Sequence, residues 1–147
     1  FMLQILFLSL IISIDVMSQD TEIKKDSFFN NLTNEEAIII VSKGTERPFS
    51  GKYNNHFDIG TYICKACNNP LFNSAAKFKS NCGWPSFDEE IKGAVIRSKD
   101  YSYAMNRVEI SCSNCRGHLG HVFQGENYTK RNTRHCVNSL SLKFVPR

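Results

Sequence analysis

The chain has no apolar run long enough to cross a bilayer, no dense basic stripe, no internal repeat and, beyond Gly44, almost no helix-forming pattern. Each shortage excludes something. A membrane-spanning helix needs about 20 apolar residues. The longest apolar stretch, Leu3 to Ile14, is broken by Gln4, Ser9 and Ser13 and stops short of that length, so no stable span is expected. The formal charge is only +4 and the densest basic cluster is Lys130, Arg131 and Arg134. That reads as a solvated surface rather than a nucleic-acid footprint. Short runs rich in β-branched and aromatic residues, cut by Gly, Asn and Pro, point instead to a mainly β domain.

The apolar stretch reads as the core of a signal peptide. Val16 and Ser18 stand at the minus-three and minus-one positions of a cleavage after Ser18. Residues 1–18 are accordingly expected to be a secretory signal, 19–32 a polar linker and 33–147 one compact domain. The tripeptides Asn31-Leu-Thr33 and Asn127-Tyr-Thr129 are sequons that a secretory route could use. A cytoplasmic protein is the alternative if the segment is not a signal.

Local signals place few elements firmly. Thr33 and Glu36 have capping-box spacing ahead of Ala37-Ile38-Ile39-Ile40-Val41, and Gly44 can end that helix. Strands are expected at Thr61 to Cys64, Ala94 to Arg97, Arg107 to Ser111 and His121 to Phe123. The last run alternates Leu140, Leu142 and Phe144 with Ser139, Ser141 and Lys143, the period of a strand with one apolar face. Carried backward without a bulge, that parity puts Asn138, Cys136 and Arg134 on the core-facing side.

Six cysteines sort by spacing into four and two. Cys64 and Cys67 form one CxxC and Cys112 and Cys115 another, the donor set of a tetrahedral zinc. Two disulfides are the competing reading for a secreted chain, but a CxxC closed on itself makes a small strained loop. His118 and His121 follow the second knuckle and are not needed by a closed four-cysteine site. Cys82 and Cys136 remain. Cys82 lies in the Gly- and Pro-punctuated run Ser80-Asn-Cys-Gly-Trp-Pro-Ser86, and Cys136 stands beside a cation that favours thiolate. They suit a redox pair, in which a sulfenic acid on one cysteine condenses with the other. A permanent structural disulfide between them, or an inert buried Cys136, fits the spacing as well.

Four motifs in order carry a resemblance. Gly44-Thr-Glu-Arg-Pro-Phe-Ser-Gly51, Lys77-Phe-Lys-Ser-Asn-Cys-Gly-Trp-Pro-Ser-Phe87, Gly117-His-Leu-Gly-His-Val-Phe123 and Arg134-His-Cys-Val-Asn-Ser-Leu-Ser-Leu142 resemble methionine sulfoxide reductase B over about Thr33 to Pro146. The resemblance implies two antiparallel sheets in a β-tent with a short N-terminal helix and a structural zinc on Cys64, Cys67, Cys112 and Cys115. It also implies reduction of the R epimer of methionine sulfoxide, in proteins or free, with recycling by thioredoxin or another thiol reductant. Cys136 corresponds to the nucleophile and Cys82 to the resolving cysteine. His121, then His118, are the candidate acids, and Asn138 completes the catalytic set. Trp84, Phe123 and Arg134 fall at substrate-binding positions, although Phe123 could be plain core and Arg134 a surface residue. On a regular strand, residues three apart face opposite ways, which would give one of the two histidines a structural role. The protein is expected to act as a monomer.

Overall fold

The computed structural model describes residues 27–147; the signal-peptide reading and most of the linker lie outside them. Leu32–Arg147 forms one compact unit, and the short turn before it belongs to a separate N-terminal unit. Helix α1, Asn34–Ile40, opens the domain with the expected capping box. The Thr33 hydroxyl accepts the Glu36 N–H at 3.2 Å, and the Glu36 carboxylate accepts the Thr33 N–H at 3.0 Å. Ile39 and Ile40 are its buried face.

Nine strands follow, all paired antiparallel. They are β1 (Gly60–Cys64), β2 (Pro70–Asn73), β3 (Lys77–Phe78), β4 (Ser86–Phe87), β5 (Val95–Asp100), β6 (Arg107–Cys112), β7 (His118–Gln124), β8 (Thr133–Val137) and β9 (Leu142–Pro146). One sheet has three strands in the order β2-β1-β9, and the other six in the order β3-β4-β8-β7-β6-β5. The fold is therefore the mainly β, two-sheet architecture with a short helix that the resemblance implied.

Aromatic side chains join the sheets. Phe72 stacks on Phe87 with centroids 4.3 Å apart, Tyr62 meets Phe87 edge-on at 5.0 Å, and His135 packs against Phe72. Tyr62, Phe72, Phe87 and His135 have no exposed surface. His135 Nδ1 lies 3.0 Å from the Phe87 carbonyl and Nε2 lies 2.9 Å from Glu90, so a wholly buried imidazole keeps both nitrogens partnered.

The terminal run is two strands, not one. The chain leaves β8 at Val137, makes a 3-10 turn over Ser139–Ser141 and joins the other sheet as β9. Glu46 forces the break: its carboxylate accepts the Ser139 N–H at 2.7 Å and the Leu140 N–H at 3.0 Å, which occupies donors a continuous ladder would need. The inferred parity consequently fails. Leu142 and Phe144 face the aromatic core, whereas on β8 it is His135 that does so, and Cys136 points to the opposite face.

Candidate active site

On that opposite face, register builds a row. Opposed residues of an antiparallel pair share a face. Ser86 of β4 faces Cys136 of β8, Cys136 faces His121 of β7, and His121 faces Glu109 of β6. Phe123 and Arg134 oppose one another two positions along the same two strands. One face of four strands thereby collects most of the residues read from the sequence.

The histidines depart from expectation. Pairing of β6 with β7 shifts between Ile110 and Ser111, so that Leu119 is an extra residue, and the bulge turns His118 back toward the side of His121. The two rings stand 5.6 Å apart. Asn138 holds the bulge: its backbone N–H and its Nδ2 both donate to the Leu119 carbonyl, at 2.9 and 3.0 Å. Its Oδ1 accepts the Glu46 N–H at 3.0 Å, and the second amide N–H is left for the cavity that Asn138 lines.

Gly120 lets β7 approach β8 closely. A Cβ there would sit 2.0 Å from the Cys136 carbonyl oxygen. Gly120→Ala is therefore expected to force the strands apart, costing about 1–3 kcal/mol of stability. A thermal melt of the variant checks this, and an unchanged midpoint would refute the close approach.

Cys136, Trp84, His121, Phe123, Asn138, Thr45 and Arg107 surround a cavity of about 110 Å³. Trp84 is fixed by its indole N–H, which donates to the Glu46 carbonyl at 3.0 Å. Phe123 is half-buried and lies under the Arg134 guanidinium, 4.6 Å from its centroid, so it is a wall of the site rather than plain core. Arg134 is 8% exposed and bidentate to Glu126, at 2.7 and 2.9 Å, which removes it from the solvated surface.

Cys82 does not line the cavity. It is held behind Cys136 by the Ser80 hydroxyl, which donates to Sγ at 2.9 Å, with the Ser86 hydroxyl 3.5 Å away. The Cys82 thiol is lowered to about 4, first by its hydrogen bond with Cys136 and then, against the cost of burial, by the two serine hydroxyls. Cys136 is raised by that same bond and by burial, while Arg134 pulls it the other way. The hydrogen bond between the two thiols thus favours the thiolate on Cys82 over that on Cys136.

His121 Nε2 lies 2.7 Å from Asp100 Oδ2, and Asp100 also pairs with Arg107 at 3.1 Å. The Asp100 carboxyl is held well below the usual range, first by Ser102 and then by His121. His118 is 2% exposed, with Nδ1 2.8 Å from Glu109, whose other oxygen binds Lys43. Burial lowers the His118 pKa and keeps the ring neutral. His118 does not line the small cavity.

The four remaining cysteines meet at the far ends of β1 and β6. Their Sγ atoms all lie within 4.8 Å of one another, with Cys64 to Cys115 and Cys67 to Cys112 both 3.6 Å, and none is joined in a disulfide. The two knuckles have the same turn. In each, the first cysteine's N–H donates to the carbonyl five residues on (Asn69 or Gly117), and its own carbonyl accepts the N–H four residues on (Asn68 or Arg116). Asn68 and Arg116 are both left-handed, at φ 64° and 67°. Asn69 Nδ2 and the Gly117 N–H point at the Cys112 and Cys115 sulfurs. Four such thiols could hold a metal ion.

Several contributors were not read from the sequence. Ser80 and Ser86 bracket Cys82 within the run already singled out. Asp100 reaches the site through a pairing 21 residues away that no local pattern marks, and Glu46, within the motif Gly44–Gly51 but given no role there, through one 92 residues away.

A mainly β protein that sets one thiol, a histidine and a tryptophan around a cavity, a second thiol beside the first and four more at a metal-fit cluster belongs to the class of two-sheet dithiol proteins. Residues 32–146 match the SelR domain model, and the chain belongs to that family, methionine sulfoxide reductase B. It is 50% identical over 116 residues to "Peptide methionine sulfoxide reductase B2, chloroplastic" of Arabidopsis thaliana, covering 78% of this chain and 56% of that one. It is 48% identical over 127 residues to "Peptide methionine sulfoxide reductase MsrB" of Teredinibacter turnerae, covering 85% of this chain and 93% of that one. Against the protein of that same name from Pseudomonas fluorescens it is 52% identical over 106 residues, or 71% and 81% of the two chains. The chain thus spans little more than half the length of the Arabidopsis chloroplastic relative.

Proposed function

We propose that the protein reduces the R epimer of methionine sulfoxide, chiefly in polypeptides, with Cys136 as nucleophile. The observation that carries this is the small cavity that Cys136, Trp84 and His121 share and Cys82 does not. Trp84 and Phe123 offer an apolar seat for the terminal methyl group, and Arg134, balanced by Glu126, keeps positive charge beside the thiols.

The Cys136 sulfur attacks the sulfoxide sulfur, and the proton it carries passes to Cys82 along their hydrogen bond. The sulfoxide oxygen takes a proton from His121, which Asp100 orients through a 2.7 Å contact. His118, neutral and set back, is the weaker candidate. The protonated oxygen passes from the substrate sulfur to the Cys136 sulfur as the transient bond between the two sulfurs breaks, so methionine leaves and Cys136 becomes a sulfenic acid. Cys82 then attacks the Cys136 sulfur, water departs and a disulfide forms. A thioredoxin-type dithiol returns the pair to thiols, and the protein works as a monomer.

Zinc is the metal proposed for the four-cysteine cluster. Sulfurs around a tetrahedral zinc stand about 3.8 Å apart, close to the 3.6 Å seen for two of the pairs. Zinc has no redox chemistry and would serve the fold. Residues 1–18 are proposed to be a signal that directs the chain to the secretory pathway, with 19–32 as a linker. "Chloroplastic" in the name of the Arabidopsis relative accords with targeting in general.

The test is stoichiometric. Reduced protein mixed with separate R and S epimers, and no recycling reductant, is expected to yield about one methionine per chain from the R epimer, with two thiols lost. No methionine from either epimer, in folded protein, would leave a non-catalytic metal-binding module of the same fold.

A further inference from the structure

The small cavity opens beside a much larger one. Its volume is about 660 Å³, and Thr45, Arg107 and His121 line both. A volume of about 110 Å³ has room for about four water-sized groups. That is the terminal methyl, sulfur, oxygen and γ-carbon of one methionine sulfoxide, and the neighbouring cavity, with three lining residues in common, has room for more of a substrate. Across the large cavity from Lys43, Gly44 and Thr45 runs the β5–β6 connection, which presents Tyr101, Tyr103 and Met105, exposed by 62%, 88% and 43%. Single exposed apolar residues are ordinary, but three within five positions rimming one groove are not. Tyr103 and Ala104 are both left-handed, at φ 56°, a costly pair for residues with a Cβ and one that persists where the surrounding structure fixes it. Of four buried side-chain polar atoms without a partner among the described residues, two belong to residues lining this groove: His118 Nε2 and Arg107 Nε. A peptide backbone offers both donors and acceptors to such atoms.

We infer that the groove between residues 43–45 and 101–105 is a peptide subsite, which seats the residue flanking the methionine sulfoxide against Tyr101, Tyr103 and Met105 and favours an apolar side chain there. The inference rests on the reductase reading and adds to it a sequence preference. The occupant is substrate rather than the recycling protein because the groove is continuous with the cavity at Cys136 and Cys82 lines neither.

The experiment compares three probes under single turnover, without reductant: N-acetyl-methionine (R)-sulfoxide, a peptide with leucine on both sides of the sulfoxide, and one with glycine. The unaltered protein is expected to prefer the leucine peptide over the glycine peptide by about tenfold, the scale of burying one apolar side chain. In the double variant Tyr103→Ser, Met105→Ser that preference should vanish, with reduction of the single-residue probe unchanged within twofold. Tyr103→Phe should keep the preference. Equal rates on both peptides in the unaltered protein, or an undiminished preference in the double variant, overturns the subsite and leaves the reductase standing. If none of the three probes is reduced by the unaltered protein, the reductase reading falls and the subsite with it. A double variant normal in single turnover but slowed only when thioredoxin recycles it would assign the rim to the reductant instead.

Discussion

Cys136→Ser is expected to yield no methionine at all, whereas Cys82→Ser should yield about one per chain and then stall. The difference follows from where the sulfurs stand. Cys136 lines the cavity and faces His121 across the ladder, so its removal leaves nothing to attack the sulfoxide. Cys82 is behind it, on the Ser80 and Ser86 hydroxyls, and is needed only once a sulfenic acid exists. Cys82 also accepts the Cys136 proton in the resting pair, so its loss should slow the first turnover without preventing it. Methionine release measured in a single burst, with thiol counts, separates the roles. Equal loss of that burst in both variants would contradict the division. A burst retained by Cys136→Ser and lost by Cys82→Ser would reverse it, making the more acidic thiol the nucleophile.

The second large effect is at the other end of the molecule. Removing one ligand, as in Cys64→Ser, or stripping the metal with a chelator, should unfold the domain. Structural zinc in small modules contributes on the order of 10–16 kcal/mol, and a whole domain is stable by only about 5–15 kcal/mol. The geometry gives the reason to expect that dependence. Cys64 ends β1 of one sheet and Cys112 ends β6 of the other, so the cluster ties the two sheets together. The close thiols act on one another unevenly: Cys64 is raised, first by its hydrogen bonds with Cys112 and Cys115, whereas Cys112 is lowered, first by its bonds with Cys115 and Cys64. Metal content and far-UV circular dichroism of the purified variant check this. A folded Cys64→Ser protein without metal would sink the structural-zinc proposal.

How far the sequence carried these conclusions depended on how local each signal was. The capping box at Thr33 and Glu36 was legible because both partners lie within one turn. The two knuckles were legible because paired cysteine spacing is itself the metal-binding geometry. The break after Val137 was not, because its cause is a carboxylate at Glu46, 93 residues from the N–H it captures. For the same reason the parity argument misplaced Cys136 onto the core face. The histidines went astray through one bulged residue, Leu119, which alternation alone cannot reveal. Nor could pattern suggest that Asn138, read as a catalytic amide, spends most of its side chain holding that bulge and the Glu46 backbone.

The switch of the chain from one sheet to the other at Ser139–Ser141 makes a short mechanical linkage. Within it the Ser141 carbonyl accepts the Lys65 N–H at 3.0 Å, inside the first knuckle, and the Ser141 hydroxyl donates to the His118 carbonyl at 2.9 Å, at the root of the bulge. One residue further, Leu142 lies opposite Cys64. Slack at the sulfur clasp is therefore transmitted through a single serine to the strand that aims the histidines. Loss of the clasp is accordingly expected to disturb the histidine face and the fold together rather than one without the other.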